Sequence, residues 1–104
     1  MTSKQRAYLK SLAANMDTIL QVGKEGLSPE QTASISEALA ARDLIKVGIL
    51  QNYDGDLDDL ARTAAERTRS QLVQVIGRKF VLYKEGKDDK KKIILPAAGK
   101  KKDV

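Results

Sequence analysis

Apolar residues follow two different spacings along the 104-residue chain, and the change from one to the other predicts seven secondary-structure elements. Segments with apolar residues at every third or fourth position are typical of amphipathic helices, whereas short runs of β-branched and aliphatic residues are typical of strands. In chain order, we predict a helix over residues 3–15, a strand over 18–22, a helix over 29–42, a strand over 43–50, a helix that begins after Asp56, and strands over 71–76 and 79–84.

Polar residues that favour helix N-caps lie at the start of each predicted helix. Ser3 can cap the first helix, and Asp56 can cap the third. Ser28 precedes Pro29, which is favoured at the first helical position, and Gln31 completes the pattern of a capping box. These signals predict where the three helices begin.

The order of the elements predicts an α/β fold. Two strand-helix-strand units favour right-handed crossovers and therefore a partly parallel sheet. The last two strands are joined by a tight turn at residues 77–78, which adds an antiparallel strand. In the second strand, Ile45, Val47 and Ile49 share one face because side chains alternate along a strand. We therefore expect residues 1–84 to form a single compact domain with a four-stranded mixed sheet.

Residues 85–104 differ in composition from the rest of the chain. Residues 1–84 hold 12 basic and 10 acidic side chains, whereas residues 85–104 hold seven lysines and four acidic residues. Such a lysine-rich segment is typical of a flexible tail. Its one apolar tripeptide, Ile93-Ile94-Leu95, could dock on the domain or add an edge strand, which Pro96 would end.

The composition excludes several kinds of active site. The sequence has no Cys and no His, so thiol nucleophiles, imidazole bases and the usual zinc ligands are absent. Asp54, Asp56 and Asp58 have the spacing that opens a calcium-binding loop, but Asp59 replaces the required Gly and Ala65 the required Glu, which favours helix capping. No nucleophile, base and orienting group lie at an informative spacing. We expect no enzyme activity, no metal site, no cofactor and no small-molecule substrate.

Hydropathy, the absence of Cys and the net charge bear on the location and the partners of the protein. No apolar run is long enough for a membrane span, and the first ten residues lack the apolar core of a signal peptide. With the absence of Cys, which suits a reducing compartment, this predicts a cytoplasmic protein without membrane association. The formal net charge of +5 favours a polyanionic partner, of which nucleic acid is the commonest, although an excess of lysine also commonly serves solubility alone.

The segment Gly-Lys-Glu-Gly at residues 23–26, which we name the GKEG loop, lies between the first strand and the second helix. Glycines permit positive φ and close approach of a ligand, and the following helix N-terminus offers N–H groups and a partial positive charge. Lys24 adds a full charge, so the loop is a candidate phosphate site. It is too short for a nucleotide-binding P-loop, but it matches the Gly-x-x-Gly loop with which KH domains clamp a nucleic-acid backbone. From the loop alone, a plain strand-to-helix turn remains the simpler interpretation.

Other basic residues could extend a phosphate-binding surface. Lys4, Arg6 and Lys10 lie in the first predicted helix, where Arg6 and Lys10 are one turn apart and should project together. Arg78 and Lys79 lie at the predicted hairpin turn. Each of these charges is also explained by simple solvation. Together on one surface they would follow a nucleic-acid backbone.

Four segments of the sequence together resemble the bacterial YhbY proteins, which are stand-alone CRM (chloroplast RNA splicing and ribosome maturation) domains. The segments are TSKQRAYLKSLA, ILQVGKEGLS, ALAARDLIKV and LVQVIGRKFVLYK, and the resemblance covers residues 2–84. It implies a compact α/β fold with a four-stranded sheet, similar to the C-terminal domain of translation initiation factor three. It also implies an RNA partner, since bacterial members associate with precursors of the large ribosomal subunit and plant members bind intron RNA.

The resemblance assigns RNA contact to the GKEG loop and to the basic first helix. Glu25 departs from what phosphate binding favours, because a carboxylate repels a phosphate. The full set of candidate RNA-binding residues is Lys4, Arg6, Lys10, Gly23, Lys24, Glu25, Gly26, Arg78 and Lys79.

We therefore expect an RNA-binding protein that assists assembly of the large ribosomal subunit. It should bind structured ribosomal RNA by shape and backbone, because A-form major grooves are too narrow for side chains and the chain has only four aromatic residues for base stacking. The alternative is a protein-interaction module on ribosomal particles, which would use the sheet or the tripeptide at residues 93–95.

Overall fold

The structure is a computed structural model, and it describes residues 1–86. This part of the chain contains the predicted elements in the predicted order. The elements are α1 (Ser3–Ala14), β1 (Leu20–Val22), α2 (Pro29–Arg42), β2 (Leu44–Ile49), α3 (Leu57–Thr68), β3 (Gln71–Ile76) and β4 (Lys79–Tyr83).

The starts of α2 and α3 agree with the predicted N-cap residues, but at α2 only the bond to the Ser28 side chain is found within the described residues, without the return bond from the Gln31 side chain that a capping box has. The Ser28 hydroxyl oxygen accepts a hydrogen bond from the Gln31 N–H at 3.0 Å, and Pro29 is the first residue of α2. At the start of α3, Asp56 Oδ1 accepts a hydrogen bond from the Asp59 N–H at 2.9 Å. Each cap satisfies one of the N–H groups that lack a partner within the first helical turn.

The N-cap of α1 is Thr2, so the prediction of Ser3 was wrong by one residue. Thr2 Oγ1 accepts a hydrogen bond from the Gln5 N–H at 3.1 Å, and Gln5 Oε1 accepts one from the Thr2 N–H at 3.0 Å. This reciprocal capping box requires Gln or Glu three residues after the cap. Gln5 has that spacing from Thr2, whereas the residue three positions after Ser3 is Arg6.

The four strands form one mixed sheet in the order β1-β2-β4-β3. β1 and β2 are parallel, as expected for strands that are joined through a helix. β4 lies between β2 and β3 and is antiparallel to both, so β2 and β3 point the same way without being neighbours. The predicted mixed sheet and final hairpin are therefore confirmed. A register shift between Leu72 and Gln74 marks a bulge in β3.

Helices cover both faces of the sheet, so the domain has two hydrophobic cores. α2 and α3 pack on the face that carries Ile45, Val47 and Ile49, as the alternation in β2 predicted. On the opposite face α1 contributes Leu9 and Ala13. The buried sheet residues that pack with them are Leu44, Val73, Val81 and Tyr83.

The predictions for the C-terminal segment fall mostly outside the described residues. The chain leaves β4 through Lys84, whose N–H donates to the Asp43 carbonyl at 2.8 Å and whose Nζ donates to the Thr68 carbonyl at 3.1 Å. Residues 87–104 lie outside the described residues, and with them the tripeptide Ile93-Ile94-Leu95. The division into a domain and a tail stays a prediction.

The left-handed residue at the end of α3 allows a test of how much backbone strain lowers the stability of the fold. Arg69 is exposed and has a left-handed conformation with φ 56° and ψ 41°, in which the Cβ of an L-residue is strained. Arg69→Gly should therefore have a free energy of unfolding about 1 kcal/mol higher than Arg69→Ala, since both variants lose the same charge. Chemical denaturation of the two variants measures the difference.

Arg62, an exposed residue in the middle of the same helix, is the matched control. At this position Gly lacks the helix propensity of Ala, so Arg62→Gly should be about 1 kcal/mol less stable than Arg62→Ala. A lower stability of the Gly variant at both positions would contradict the assignment of strain to Arg69.

Candidate nucleic-acid interface

The GKEG loop connects β1 to α2 through a tight turn. The Gly26 N–H donates to the Gly23 carbonyl at 2.9 Å, and Lys24 and Glu25 are exposed at the tip of the turn. The loop begins directly after β1, at the C-terminal end of the two parallel strands. An ammonium and a carboxylate are therefore neighbours at the tip, and only the ammonium attracts a phosphate.

The two glycines of the loop have different structural roles. Gly26 has a φ of +73°, and a Cβ added to it would lie 3.3 Å from Cε1 of Tyr53, so the fold itself requires glycine here. Gly23 is not among the residues with positive φ, and an added Cβ would make an ordinary contact of 3.6 Å with Cδ1 of Leu50. Neither backbone conformation nor packing within the described residues accounts for glycine at position 23.

Hydrogen bonds within the protein occupy part of the predicted phosphate site. The Gly26 N–H closes the turn, the Ser28 side chain takes an N–H of the first turn of α2, and Pro29 has no N–H. Of the backbone N–H groups from Gly26 to Glu30, at the helix N-terminus that could hold a phosphate, those of Leu27, Ser28 and Glu30 take no part in these hydrogen bonds. They are the candidate backbone donors.

The predicted lysines are available to an external ligand. Lys4, Lys10, Lys24 and Lys79 are all exposed. The single ion pair found among residues 1–86 lies within α3 and involves none of these lysines. Their charges are therefore not neutralised by a neighbouring carboxylate in the described part of the chain.

Arg6, in contrast, is engaged within the protein. Its Nη1 donates to the carbonyl oxygens of Leu72 and Val73, each at 2.7 Å. Both acceptors lie at the bulge of β3, where the irregular register interrupts the strand pairing. Arg6 therefore ties α1 to the edge strand, a role that the sequence did not predict.

Arg78 is also engaged, through contacts to the segment that follows β2. Its Nη2 donates to the carbonyl oxygens of Leu50 at 2.8 Å and Tyr53 at 2.7 Å, and its Nε donates to the Ile49 carbonyl at 3.3 Å. One guanidinium thus holds three carbonyl groups, which suits its fixed, planar arrangement of donors. Contact of Arg6 or Arg78 with RNA stays a prediction, and both have a structural role without it.

The structure brings the GKEG loop, the β3–β4 turn and Lys79 to one end of the sheet. The Leu50 N–H donates to the Val22 carbonyl at 2.8 Å, which joins the end of β2 to the end of β1. The Ile49 N–H donates to the Arg78 carbonyl at 2.7 Å, which joins the end of β2 to the turn. Lys79 follows directly in β4. We call this end of the sheet the loop end.

The three cations of α1 do not form one group. Successive residues are about 100° apart around an α-helix. Lys10 is one turn beyond Arg6 and lies on the same flank. Lys4 is two residues before Arg6 and therefore roughly 200° away around the helix axis. A surface that includes Arg6 and Lys10 does not include Lys4.

Two side chains that sequence reasoning missed support the GKEG loop from the side of α3. The Tyr53 ring lies beside Gly26, and Arg67 Nη1 donates to the Leu27 carbonyl at 3.3 Å. Both line a groove of about 250 Å³ between the loop and α3. Arg67 and Leu27 are 40 residues apart in the sequence, so no local spacing could indicate the contact.

The described residues offer no metal site. Among residues 1–86 no group of three or more His, Cys, Asp or Glu side chains could hold a metal ion. Asp56, within the segment that resembles a calcium loop, is the N-cap of α3. None of the helices in this part of the chain has the length and apolar character needed to cross a membrane.

Comparisons with known proteins point to one family. The model of the CRS1/YhbY (CRM) domain matches residues 1–84. The Bacillus subtilis protein named "Probable RNA-binding protein YqeI" is 48% identical over 90 residues, which cover 86% of this chain and 94% of that protein. A Haemophilus influenzae protein named "RNA-binding protein" is 33% identical over 91 residues, with coverage of 86% and 91%.

A solved structure supports the same conclusion for the fold. The solution structure of the hypothetical protein SAV1595 from Staphylococcus aureus has 49% sequence identity and a TM-score of 0.78. It covers 92% of this chain, and this chain covers 99% of it. The α/β fold is therefore shared with a solved relative, whereas similarity to the C-terminal domain of translation initiation factor three stays a prediction.

The two glycines of the GKEG loop should respond differently to alanine. Gly26→Ala forces an L-residue to a positive φ beside Tyr53, so it should lower the free energy of unfolding by about 1–2 kcal/mol. Gly23→Ala meets no such strain and should change it by less than about 0.5 kcal/mol. Chemical denaturation measures both values. Equal losses at the two positions would show that Gly23 is also required by the fold.

Proposed function

The chain belongs to the CRS1/YhbY (CRM) domain family, and on that premise we propose that it binds RNA and holds the RNA backbone at the GKEG loop. The relatives compared above are named as RNA-binding proteins and not as enzymes. The proposal combines that family property with the geometry of the loop end.

Glycine at position 23 is the observation that carries the proposal for the loop. The fold tolerates a Cβ there, so the absence of a side chain is better explained by a ligand that approaches the backbone closely. A phosphate is such a ligand, because the amides at the start of α2 and the Lys24 ammonium offer it hydrogen bonds and positive charge. Glu25 is exposed at the same tip, where its carboxylate repels a phosphate rather than attracting it.

Two exposed lysines that form no ion pair within residues 1–86 extend the proposed contact. Lys79 lies at the loop end, and Lys10 lies on the flank of α1 that it shares with Arg6. Exposed lysines without carboxylate partners can each neutralise a phosphate and release a counterion. This kind of contact positions the protein on a backbone without selecting a sequence.

We propose structured ribosomal RNA of large-subunit precursors as the target and the cytoplasm as the place of action. The support is the resemblance to bacterial YhbY proteins. The lysine-rich segment at residues 85–104 would raise affinity for any RNA without adding specificity. If the chain were instead a protein-interaction module, RNase treatment of a cell lysate would leave it on ribosomal particles, whereas an RNA-bound protein should be released.

Salt dependence tests whether the lysines contact phosphates. With about four contacts from residues 1–84, a plot of log affinity against log salt concentration should have a slope of at least roughly −3 to −4, and contacts of the lysine-rich segment would make the slope more negative. Lys24→Ala should make the slope less negative by about one contact, whereas Arg62→Ala on α3 should leave it unchanged. Fluorescence anisotropy with a labelled ribosomal RNA fragment at several salt concentrations measures these slopes. A flat salt response would contradict backbone binding.

A negative charge at position 23 tests the GKEG loop directly. Gly23→Asp places a carboxylate where the phosphate should lie, so RNA affinity should fall at least about tenfold, which is roughly 1.4 kcal/mol. Gly26 is left intact because its replacement would strain the fold. The stability of Gly23→Asp should stay close to that of Gly23→Ala, which thermal unfolding verifies.

Ala41→Glu provides the matched charge control. Ala41 is exposed near the C-terminal end of α2, roughly 18 Å along the helix axis from Pro29. The added charge is the same, so RNA affinity should fall less than about twofold over this distance at physiological salt. A folded Gly23→Asp variant that binds RNA as tightly as Ala41→Glu would show that the GKEG loop is only a turn and does not bind the RNA backbone.

A further inference from the structure

Two apolar side chains are unusually exposed at the loop end. Among the described residues, Ile76 and Leu50 are the most exposed of the large apolar side chains, at 56% and 43% of their surface. Single exposed apolar residues are normal on protein surfaces. These two, however, flank the β3–β4 turn and the GKEG loop, where the proposed RNA contact lies.

The backbone of Leu50 is held in place on both sides. Its N–H donates to the Val22 carbonyl at 2.8 Å, and its carbonyl accepts from the Tyr53 N–H at 3.1 Å and from Arg78 Nη2 at 2.8 Å. Its Cδ1 lies 3.6 Å from the position that a Cβ on Gly23 would occupy. Leu50 is therefore an exposed apolar side chain presented at a fixed place, directly beside the glycine that the fold does not require.

Ile76 belongs to a row of residues that crosses the whole sheet at this end. Gln21 pairs with Gly48, Gly48 with Lys79, and Lys79 with Ile76. Directly paired residues project from the same face of a sheet. This is the face on which α1 packs, since Val81, two residues after Lys79, belongs to the α1 core.

α1 leaves three of the four residues in this row exposed, while Gly48 is buried, with Thr18 Cγ2 3.0 Å from the position that a Cβ on Gly48 would occupy. Gln21, Lys79 and Ile76 are exposed, whereas the residues of β4 that α1 covers, Val81 and Tyr83, are buried. The row spans three strand spacings of about 4.8 Å, or roughly 14 Å, which is enough length for about three or four stacked nucleotides. We name the three exposed residues of this row, Gln21, Lys79 and Ile76, together with Leu50, which follows β2 beside them, the loop-end row.

We propose that the loop-end row receives unpaired bases of an RNA whose backbone is held at the GKEG loop, an inference that rests on the function proposed above. A phosphate against Gly23 places its nucleotide next to Leu50, whose side chain can contact the face of a base. Ile76 offers a second apolar contact, the Gln21 amide can donate to and accept from base edges, and Lys79 can bind the intervening phosphate. Bases stacked within a duplex do not expose these faces, so the ligand is an unpaired segment.

The charge of the row favours RNA over a protein partner. It contains a lysine and no acidic residue, and it continues directly into the turn that carries Arg78. An apolar protein interface would be expected to exclude a central, exposed lysine. The same lysine is well placed for a polyanion.

The experiment compares two RNA hairpins of equal length, one fully paired in its stem and one with three unpaired nucleotides within the stem. The combined variant Leu50→Thr, Ile76→Thr should lose about tenfold or more in affinity for the RNA with unpaired nucleotides and less than about twofold for the paired stem. Leu12→Gln is the matched control, since Leu12 is an exposed apolar residue of α1 outside the row. It should leave both affinities within about twofold.

A gain of affinity provides a second readout that loss of folding cannot imitate. Ile76→Tyr keeps a strand-favouring residue and adds an aromatic face on which a base can stack. It should tighten binding of the RNA with unpaired nucleotides by about fivefold or more and leave the paired stem unchanged. Ile76→Val removes one methylene group and keeps a β-branched apolar surface, so it should lose less affinity for the RNA with unpaired nucleotides than Ile76→Thr.

The outcomes separate this inference from the proposed function. If the unmodified protein binds both RNAs with equal affinity and the variants at positions 50 and 76 change neither, the loop-end row does not contact bases and backbone binding stands alone. If the unmodified protein binds neither RNA, both proposals are wrong. Preferential binding of the RNA with unpaired nucleotides, with the opposite effects of Thr and Tyr at position 76, supports the inference.

Discussion

β4 is the strand on which the rest of the structure depends, because it is covered on both faces and paired on both edges. Phe80 and Leu82 belong to the core under α2 and α3, whereas Val81 and Tyr83 belong to the core under α1. Its neighbours are β2 on one edge and β3 on the other. A run of consecutive buried residues is typical of a strand covered on two sides. Without α1, the apolar surface of Val81 and Tyr83 would face water. This strand therefore explains why α1 packs on the face of the sheet opposite α2 and α3.

The central position of β4 also determines the geometry of the loop end. The hairpin that delivers β4 turns at the same end of the sheet at which β1 and β2 finish. Arg78 in that turn can therefore reach the carbonyl groups of Leu50 and Tyr53, and Tyr53 in turn packs beside Gly26. Arg78 in the hairpin thus supports the GKEG loop, which is distant in the sequence. It can do so because the pairing of β4 with β2 places the hairpin turn beside the segment that follows β2.

Local sequence signals predicted the elements well and the contacts between them poorly. Ser28 and Asp56 were correctly identified as caps because a cap and the N–H it accepts are three residues apart. At α1 the prediction of Ser3 was wrong, although the sequence carries the signal for Thr2, since Gln5 has the capping-box spacing only from Thr2. The contacts of Arg6 and Arg78 could not be predicted, because their acceptors are distant in the sequence. The acceptors of Arg6 lie 66 and 67 residues away, and those of Arg78 lie 25 to 29 residues away. For the same reason, sequence analysis could not distinguish these arginines from the lysines as candidates for RNA contact.

The structure divides those candidates by chemical type. The side chains of Arg6 and Arg78 donate hydrogen bonds to backbone carbonyl groups, and each guanidinium binds at least two of these groups. The lysines at positions 10, 24 and 79 are exposed and outside any ion pair found in the described part of the chain. This division follows from the side chains themselves, because a planar guanidinium suits several fixed acceptors, whereas a compact ammonium on a flexible stem can follow a phosphate whose position varies. In the function proposed above, Arg78 would hold the carbonyl groups of the loop end and Arg6 would hold α1 on the edge strand, while the exposed lysines would contact the RNA backbone.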